Sequence, residues 1–400
     1  MRAYRNLPAS IRDQWLLSAE VRSLSLSRTP RLACLTLFLV QAFGEREYLI
    51  YENERLTYAD AQARAARLAA LLHARGVKKG DRVAIAMRNI PEWAFSCVQL
   101  PLPLSRRRRG SCTVVKSASL TALLARRWWA CQLLGAVAVA VNAWLTPEAF
   151  YHCVSITEPV ALVVDAERAE VLQSRTSDLR SLGCRTFLVA RSASPLADFE
   201  SFTDTLAAQA SSKFPRPEIL PEDEACIFFT SGTTSLPKGV LSTHRQYLSN
   251  MFNSACGGAR ALLRKGEPIP APDLTAPQLS VLLVVPLFHA MGNHSFLGPV
   301  SAQGGKIVLM RKFSPQLGAR LIVDEGVMAA SGVPSQVSQL LEEIPLDAEG
   351  VKLETLSYGG GPPSSRLPEQ LRARLPNALT AQGYGLTGAW LVLLVSLFRR

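Results

Sequence analysis

The sequence predicts an α/β fold with parallel or mixed sheets flanked by helices. Short apolar runs of the length of buried strands recur along the chain, and amphipathic stretches with helix start and stop signals separate them. Such alternation is typical of parallel sheets covered by helices. The strand candidates span residues 48–51, 83–87, 137–141, 160–164, 186–190, 225–229, 281–285, 306–310, 327–330 and 353–358.

The composition is that of a globular chain. Of the 400 residues, 48% are hydrophobic and 19% are charged, which excludes a disordered chain. The eight cysteines form no Cys-x-x-Cys pair. We interpret them as reduced thiols of an intracellular protein, in the cytoplasm or an organelle such as the peroxisome, and expect no metal site. The longest apolar runs, nine residues each, are too short for a transmembrane segment.

The net charge of +12 is concentrated in three segments. Residues 100–132 contain seven Lys and Arg and no acidic residue, and residues 1–41 and 389–400 are also basic. The rest of the chain is nearly neutral, so we expect no nucleic-acid partner. The alternative is a basic surface-binding protein that contacts anionic lipid or nucleic acid through residues 100–132.

The first regular elements follow an arm of residues 1–41, part of which has no convincing period. Thr57 and Asp60 form the capping-box pattern of a helix start. The helix is predicted to run to about Arg75 and to end at Gly76. Its apolar face consists of Ala61, Ala65, Leu68 and Leu72.

A second helix opens at Pro91 and is interrupted after Gln99. A run of leucine and proline, four arginines at 106–109 and a stretch rich in Ser, Thr and Leu follow, and regular sequence resumes at about Cys131. Further helices are predicted at 147–155, 167–174, 316–324, 335–343 and 366–375.

The chain is organised around residues 228–240. A predicted strand leads into Thr230-Ser231-Gly232-Thr233-Thr234-Ser235, and Leu236-Pro237-Lys238-Gly239 follows. Glycine lets backbone N–H groups turn toward an anion, the hydroxyls add donors, and the lysine supplies a mobile positive charge. The segment therefore predicts phosphate binding. It is not a Walker A loop, and a flexible Ser/Thr/Gly linker is the alternative.

This segment resembles the phosphate-binding loop of the adenylate-forming enzymes, the family of acyl-CoA synthetases, firefly luciferase and peptide-synthetase adenylation domains. Three further motifs follow in the family's order. Val-Pro-Leu-Phe-His-Ala-Met-Gly at 285–292 resembles the motif beside the acyl pocket, and Ser-Tyr-Gly-Gly-Gly-Pro-Pro at 357–363 resembles the glycine turn against the adenine. Gly-Tyr-Gly-Leu-Thr at 383–387 resembles the segment that closes over AMP.

The resemblance implies a role for each motif, with ATP, Mg²⁺ and coenzyme A as cofactors and a small carboxylic acid as substrate. The implied catalytic residues are Thr230, Lys238, His289 and Thr387. The implied nucleotide-binding residues are Ser231, Gly232, Thr233, Thr234, Ser235, Gly239, Gly359, Gly360, Gly361, Tyr384 and Gly385.

Two positions depart from the family pattern. Ser235 stands where the family usually has glycine, which costs on the order of 1 kcal/mol if the position requires a positive φ. Gly388 stands where the family has a glutamate that holds Mg²⁺, and glycine offers a hard cation no side-chain ligand. The family also has an aspartate for the ribose hydroxyls, a hinge, and a small C-terminal domain whose lysine reaches the α-phosphate. These parts are missing here, so we expect the large N-terminal domain alone.

We therefore divide the chain into an arm with an irregular segment at 1–41, an incomplete AMP-binding large domain at 42–387 and an apolar tail outside the family at 388–400. In the family, the second helix runs almost directly into the segment that resumes near residue 131. We interpret residues 99–130 as an aberrant insertion of translated intron, and extend the hypothesis to 22–41 and 388–400. The alternative is a genuine insertion whose arginines at 106–109 form a nuclear-localisation or anion-binding patch.

For function, the resemblance implies ATP-dependent activation of a carboxylic acid, of the fatty or aryl class, to an acyl-adenylate, followed by transfer to coenzyme A. The departures above predict that this activity is impaired. Two alternatives stay open. One is a catalytically inactive nucleotide- or acyl-binding remnant, and the other is the basic surface-binding protein.

Overall fold

The computed structural model describes residues 43–97, 130–230, 236–269, 275–345, 351–387 and 391–397. The N-terminal arm, nearly all of the predicted insertion, residues 231–235 of the predicted phosphate loop and parts of the 388–400 tail lie outside these ranges. Within them the predicted α/β fold is confirmed, because two mixed, mostly parallel sheets are flanked by helices. The proposed domain boundaries stay predictions.

The strands fall into two sheets, which we call sheet A and sheet B. In chain order they are β1 (Glu47–Tyr51), β2 (Glu54–Thr57), β3 (Arg82–Ala86), β4 (Val137–Ala140), β5 (Ala161–Asp165), β6 (Thr186–Ala190), β7 (Glu200–Ser201), β8 (Glu224–Thr230), β9 (Lys238–Thr243), β10 (Ser280–Leu283), β11 (Lys306–Leu309), β12 (Ala329–Gly332), β13 (Thr355–Gly359), β14 (Leu379–Leu386) and β15 (Leu391–Leu397).

Among the described residues, the strand order is β15-β14-β13-β12-β10-β11-β1-β2 in sheet A and β7-β6-β5-β3-β4-β8-β9 in sheet B. Neighbouring strands are parallel except at three edges, where the pairs β1–β2, β14–β15 and β8–β9 are antiparallel. Parallel strands place their carboxyl ends along one edge of a sheet, and that edge is the usual position of a ligand site in α/β proteins.

The helices cover both sheets. They are α1 (Tyr58–Ala74), α2 (Pro91–Cys97), α3 (Ala130–Leu134), α4 (Pro147–Ser155), α5 (Ala166–Leu172), α6 (Thr176–Ser181), α7 (Phe202–Ala208), α8 (His244–Arg264), α9 (Gly298–Ala302), α10 (Pro315–Asp324), α11 (Pro334–Glu343) and α12 (Leu367–Arg374), with a 3₁₀ turn at Gln173–Arg175 and a π-helix at Met291–Leu297. Across the described part of the chain, no helix combines the length and the apolarity that a bilayer crossing requires.

The predicted capping box of α1 is confirmed. The Asp60 amide donates to Thr57 Oγ1 at 3.1 Å, and the Thr57 amide donates to Asp60 Oδ2 at 3.0 Å. Gly76 follows the helix with a φ of 82°, which favours glycine. The predicted apolar face of Ala61, Ala65, Leu68 and Leu72 is fully buried.

The core has three layers, which follow from the period-2 alternation of strand side chains. Leu49 and Leu283 of sheet A face Val83 and Phe228 of sheet B in one cluster, together with α1. The alternate residues of sheet A, such as Ile50, pack with helices α10–α12. The alternate residues of sheet B pack with α4–α6. The widest apolar cluster therefore lies between the two sheets.

Several elements differ from the sequence predictions. The strand predicted at 327–330 starts later, at Ala329, because the chain first closes α10: the Val327 amide donates to the Ile322 carbonyl and Gly326 has a φ of 55°. The long helix α8 was not predicted, although Thr243 and Gln246 form a capping box at its start. Its apolar residues recur with a helical period among many polar and small residues, so a local signal of this helix was present in the sequence.

Candidate active site

The carboxyl ends of β4 and β8 in sheet B meet the exit of β10 in sheet A. Between them lies a cavity of about 80 Å³. Sequence segments that are more than a hundred residues apart therefore form its walls. The lining residues are Ala140, Asn142, Leu145, Phe229, Thr230, Pro237, Phe288 and His289.

The hairpin β8–β9 supplies one wall. Thr230 pairs with Lys238, and Thr230 Oγ1 lies 3.4 Å from the Lys238 carbonyl oxygen, to which it donates. The hairpin thus presents both ends of the predicted phosphate loop at the cavity, while Ser231, Gly232, Thr233, Thr234 and Ser235 lie outside the described residues. Gly239 is required by packing, because a Cβ there would lie 2.9 Å from a methyl group of Ile227.

The turn that carries His289 supplies the opposite wall. The chain leaves β10 at Leu283, two residues earlier than predicted, and the His289 amide then donates to the Pro286 carbonyl at 3.2 Å. Gly292 lies against the same carbonyl, since a Cβ at Gly292 would be 2.2 Å from Pro286 O. The π-helix Met291–Leu297 begins here, and π-helical turns occur frequently at functional sites.

The ring of Phe288 packs beside the His289 side chain. The Phe288 ring lies 4.8 Å from the imidazole, and Trp144 meets Phe288 edge to face at 5.2 Å. Burial lowers the pKa of His289 below its ordinary value, because desolvation disfavours the charged form. At neutral pH the imidazole is therefore uncharged, with one N–H donor and one acceptor nitrogen for a ligand in the cavity.

The glycine turn lies beside this wall. A Cβ at Gly359 would be 2.7 Å from the Gly383 carbonyl on the adjacent β14, so β13 and β14 approach closely only because glycine is present. Gly360 has a φ of 76°, and its nearest side chains are Val333 and Met291. Gly361 faces Pro334. The turn and the His289 segment therefore meet through Met291.

The last motif lies one strand further out. Tyr384 and Gly385 belong to β14, Tyr384 is 57% exposed, and Thr387 follows the strand. None of the three lines the cavity. The structure therefore places Thr230 and His289 at the same cavity and the glycine turn near the His289 segment. Tyr384 and Gly385 lie on the exposed neighbouring strand, and Thr387 follows it.

Asn89 is a site residue that sequence reasoning missed. It follows β3 of sheet B, and its buried amide bonds to the backbone at Val285 and Leu287 on either side of Pro286. Its sequence context, Asn-Ile-Pro-Glu-Trp, indicates only a helix start. No local signal shows that the side chain reaches a segment almost two hundred residues away.

Another histidine, His294, has no access to the cavity. It is buried between the rings of Phe228 and Tyr247, at centroid distances of 4.9 and 4.4 Å. Burial lowers the pKa of His294 to about 3.

The described residues do not form a metal site. Within the ranges that the structure covers, no group of three or more His, Cys, Asp or Glu side chains is arranged to hold a metal ion. The six cysteines in those ranges are free thiols, and five of them are buried.

The fold and motifs agree with a comparison against known families. The profile of the AMP-binding enzyme family matches residues 39–98 and 125–399, and the chain therefore belongs to this family. The match skips residues 99–124, which lie inside the predicted insertion, and it continues through most of the 388–400 segment that we expected to lie outside the family.

The chain is also similar in sequence to individual CoA ligases. The chain is 27% identical to 4-coumarate–CoA ligase 3 of Oryza sativa subsp. japonica over 357 residues, which is 88% of this chain and 55% of that protein. It is 28% identical to 4-coumarate–CoA ligase 2 of Narcissus pseudonarcissus, with 85% and 53% covered. The chain spans about half the length of these relatives.

Solved structures share the fold. The N-terminal domain of FACL13 from Mycobacterium tuberculosis superposes with a TM-score of 0.64 at 23% identity, covering 90% of this chain and 78% of that chain.

Proposed function

We propose that the protein is an acid–thiol ligase that activates an apolar carboxylic acid with ATP and transfers the acyl group to coenzyme A. One observation carries this proposal. The cavity holds Thr230, at the root of the phosphate-loop hairpin, opposite the uncharged imidazole of His289 and the apolar ring of Phe288. In this proposal, the phosphate-binding hairpin and the apolar pocket for the acid therefore share one small space.

The first step uses residues from both walls of the cavity. A carboxylate oxygen attacks the α-phosphorus of ATP, the bond to the β-phosphate oxygen breaks, and pyrophosphate leaves. In our proposal, Thr230 and Lys238 with residues 231–235 hold the β- and γ-phosphates, while the His289 N–H orients the carboxylate for in-line attack. Holding the reactants in this geometry is the main catalytic contribution available here.

The second step releases the product. The thiolate of coenzyme A attacks the carbonyl carbon of the acyl-adenylate, and AMP leaves with the electron pair of the broken C–O bond. We assign adenine contact to Gly359, Gly360 and Gly361, ring stacking to Tyr384, and α-phosphate contact to Thr387 and Gly385. The 57% exposure of Tyr384 leaves its ring accessible for such stacking.

Mg²⁺ has no protein ligand set in this proposal. Position 388 is glycine, and the described residues offer no cluster of carboxylates. The proposed steps therefore rest on the protein's own side chains and backbone groups.

The acid is of the aryl or aliphatic class, with the aryl class favoured. Phe229, Phe288 and Leu145 make the lining mostly apolar, and Trp144 packs edge to face behind Phe288. The matched relatives are named as ligases of 4-coumarate, an aromatic acid.

ATP–pyrophosphate exchange tests the proposal. The 400-residue protein is incubated with ATP, labelled pyrophosphate and one acid at a time, from 4-coumarate to a long-chain fatty acid. We expect exchange that depends on an apolar acid and is highest with the aromatic one. Exchange that is absent with every acid, in a sample that is folded by circular dichroism, would refute ligase activity for this chain.

One observation favours the second candidate, a nucleotide- or acyl-binding protein without turnover. Gly388 removes the family's carboxylate at that position. This candidate predicts that AMP and the acid bind in calorimetry while exchange stays at background. Restoring the carboxylate with Gly388→Glu then raises exchange above background, whereas Gly388→Gln does not.

A further inference from the structure

We infer that Asn89 is a positioning residue that sets the orientation of His289 by joining the two sheets beside the cavity. This inference rests on the proposed function, in which His289 orients the carboxylate of the substrate. The bonds themselves are independent of it.

The Asn89 amide serves both sides of Pro286. Its Nδ2 donates to the Val285 carbonyl at 3.0 Å, and its Oδ1 accepts from the Leu287 amide at 2.8 Å. Asn89 is only 5% exposed, and Val285 and Leu287 are also buried. The chain has already left β10 here, and the pairing of β10 with β11 and β12 ends at Leu283, so none of the strands that the structure describes pairs with these backbone groups. Without Asn89, a buried donor and a buried acceptor would lose these partners.

The bonds control the turn that carries His289. They fix the peptide groups on both sides of Pro286, and the Pro286 carbonyl is the acceptor for the His289 amide. Gly292 packs against that carbonyl from the other side. Because the turn has contacts on both faces, a shift of Val285–Leu287 moves His289 with it.

A hydrogen bond of the preceding residue restrains the backbone at Asn89. The preceding amide, of Arg88, donates to Asp165 Oδ2 at 3.0 Å, and Asp165 is the last residue of the adjacent strand β5. Asp165 is 2% exposed. A continuous path of short contacts thus runs from the centre of sheet B to the His289 wall of the cavity. The opposite wall, with Thr230, belongs to sheet B as well, so Asn89 sets the distance between the walls.

Gln132 offers a matched control. It is a fully buried amide whose Nε2 donates to the Ala225 carbonyl at 3.1 Å. Ala225 lies at the start of β8, and Thr230 lies at its other end. Truncation of Gln132 removes a buried side-chain amide of the same kind without touching either wall of the cavity.

The test compares Asn89→Ala with Gln132→Ala in the full chain. Hydrogen–deuterium exchange is followed in the peptide 285–293, and affinity is measured for a non-hydrolysable sulfamoyl analogue of 4-coumaroyl-adenylate. We expect Asn89→Ala to accelerate exchange in this peptide at least tenfold and to weaken binding about tenfold, the ratio that the loss of one or two hydrogen bonds produces. Gln132→Ala should lower the melting temperature while leaving both readouts at wild-type values.

The isosteric Asn89→Asp serves if the alanine variant does not fold. It keeps the acceptor for Leu287 and places an oxygen against the Val285 carbonyl, so we again expect weaker binding. Wild-type exchange and affinity in a folded Asn89 variant, or equal changes in Asn89→Ala and Gln132→Ala, would overturn the inference. If the wild-type chain does not bind the analogue, only the proposed ligase function fails. The difference in hydrogen–deuterium exchange between Asn89→Ala and Gln132→Ala still measures how strongly Asn89 restrains the turn.

Discussion

His289 and His294 are five residues apart and occupy opposite environments. His289 reaches the cavity, whereas His294 is enclosed by two aromatic rings. Burial lowers the pKa of both imidazoles, so both are uncharged near neutral pH. The chemistry assigned to His289 therefore depends on hydrogen bonding and position rather than on charge.

The first residue-scale prediction concerns catalysis. His289→Ala should lower the ATP–pyrophosphate exchange rate on the order of a hundredfold, because the carboxylate loses its orienting partner. His73, exposed on α1, provides the control. His73→Ala should exchange at the wild-type rate. Equal rates in the two variants would remove His289 from the mechanism.

The second residue-scale prediction concerns pH. The folded-state pKa of His294 is lowered to about 3, so between roughly pH 6.5 and 3 the unfolded chain binds a proton that the folded chain excludes. The stability from neutral His294 is therefore present above pH 6.5 and falls by about 1.4 kcal/mol per pH unit as the pH drops. His294→Leu should flatten this slope in urea denaturation between pH 7 and pH 5. His73→Ala should keep it, and an unchanged slope in His294→Leu would contradict the assignment.

At the scale of elements, the turn from β10 into the π-helix positions the site. Its geometry depends on Gly292, whose Cα lies against the Pro286 carbonyl. Gly258 in α8 has free space where Gly292 has none, because a Cβ added at Gly258 would meet no atom within 4 Å.

Gly292→Ala should therefore destabilise the protein by on the order of 1–3 kcal/mol and reduce ligand binding, because the turn must shift. Gly258→Ala should stabilise it by roughly 0.5–1 kcal/mol, the gain from replacing an exposed helical glycine. Guanidinium denaturation of both variants measures the difference. A neutral Gly292→Ala would show that the turn has room to adjust.

At the scale of the whole molecule, α2 and α3 pack against each other and against α1, although 32 residues separate them along the chain. Cys97 of α2 and Cys131 of α3 belong to the same buried apolar cluster. The family match also skips residues 99–124. These observations support the hypothesis that residues 99–130 are an aberrant insertion, which predicts that the fold does not need residues 99–124.

A variant that lacks residues 99–124 should therefore unfold cooperatively at a melting temperature no lower than that of the full chain. Removal of residues 147–155, which takes the buried Phe150 from the core, should abolish cooperative unfolding. Loss of folding in the first variant would argue for a structural role of the insertion. Sequencing the transcript across codons 97–132 tests the intron hypothesis directly.

Much of the fold was predictable because its signals are local. The capping box of α1, the apolar strands and the glycine at the end of the helix depend on residues within one turn or one strand of each other. The motifs also specified the candidate chemistry. The start of β12 was predicted too early, because the chain first closes the C-terminus of α10 before it enters the strand. The helix α8 was missed, although its capping box and its helical apolar period are local signals.

The class of fold, the family resemblance and the residue types proposed for phosphate and acid binding follow from local patterns in the amino-acid sequence. Which of these residues meet depends on how the two sheets pack. Thr230 and His289 face one cavity because the exits of β8 and β10 coincide, and Asn89 bonds to Val285 and Leu287 across 196 and 198 positions. Contacts over such distances follow from strand order and sheet packing, which no local pattern encodes.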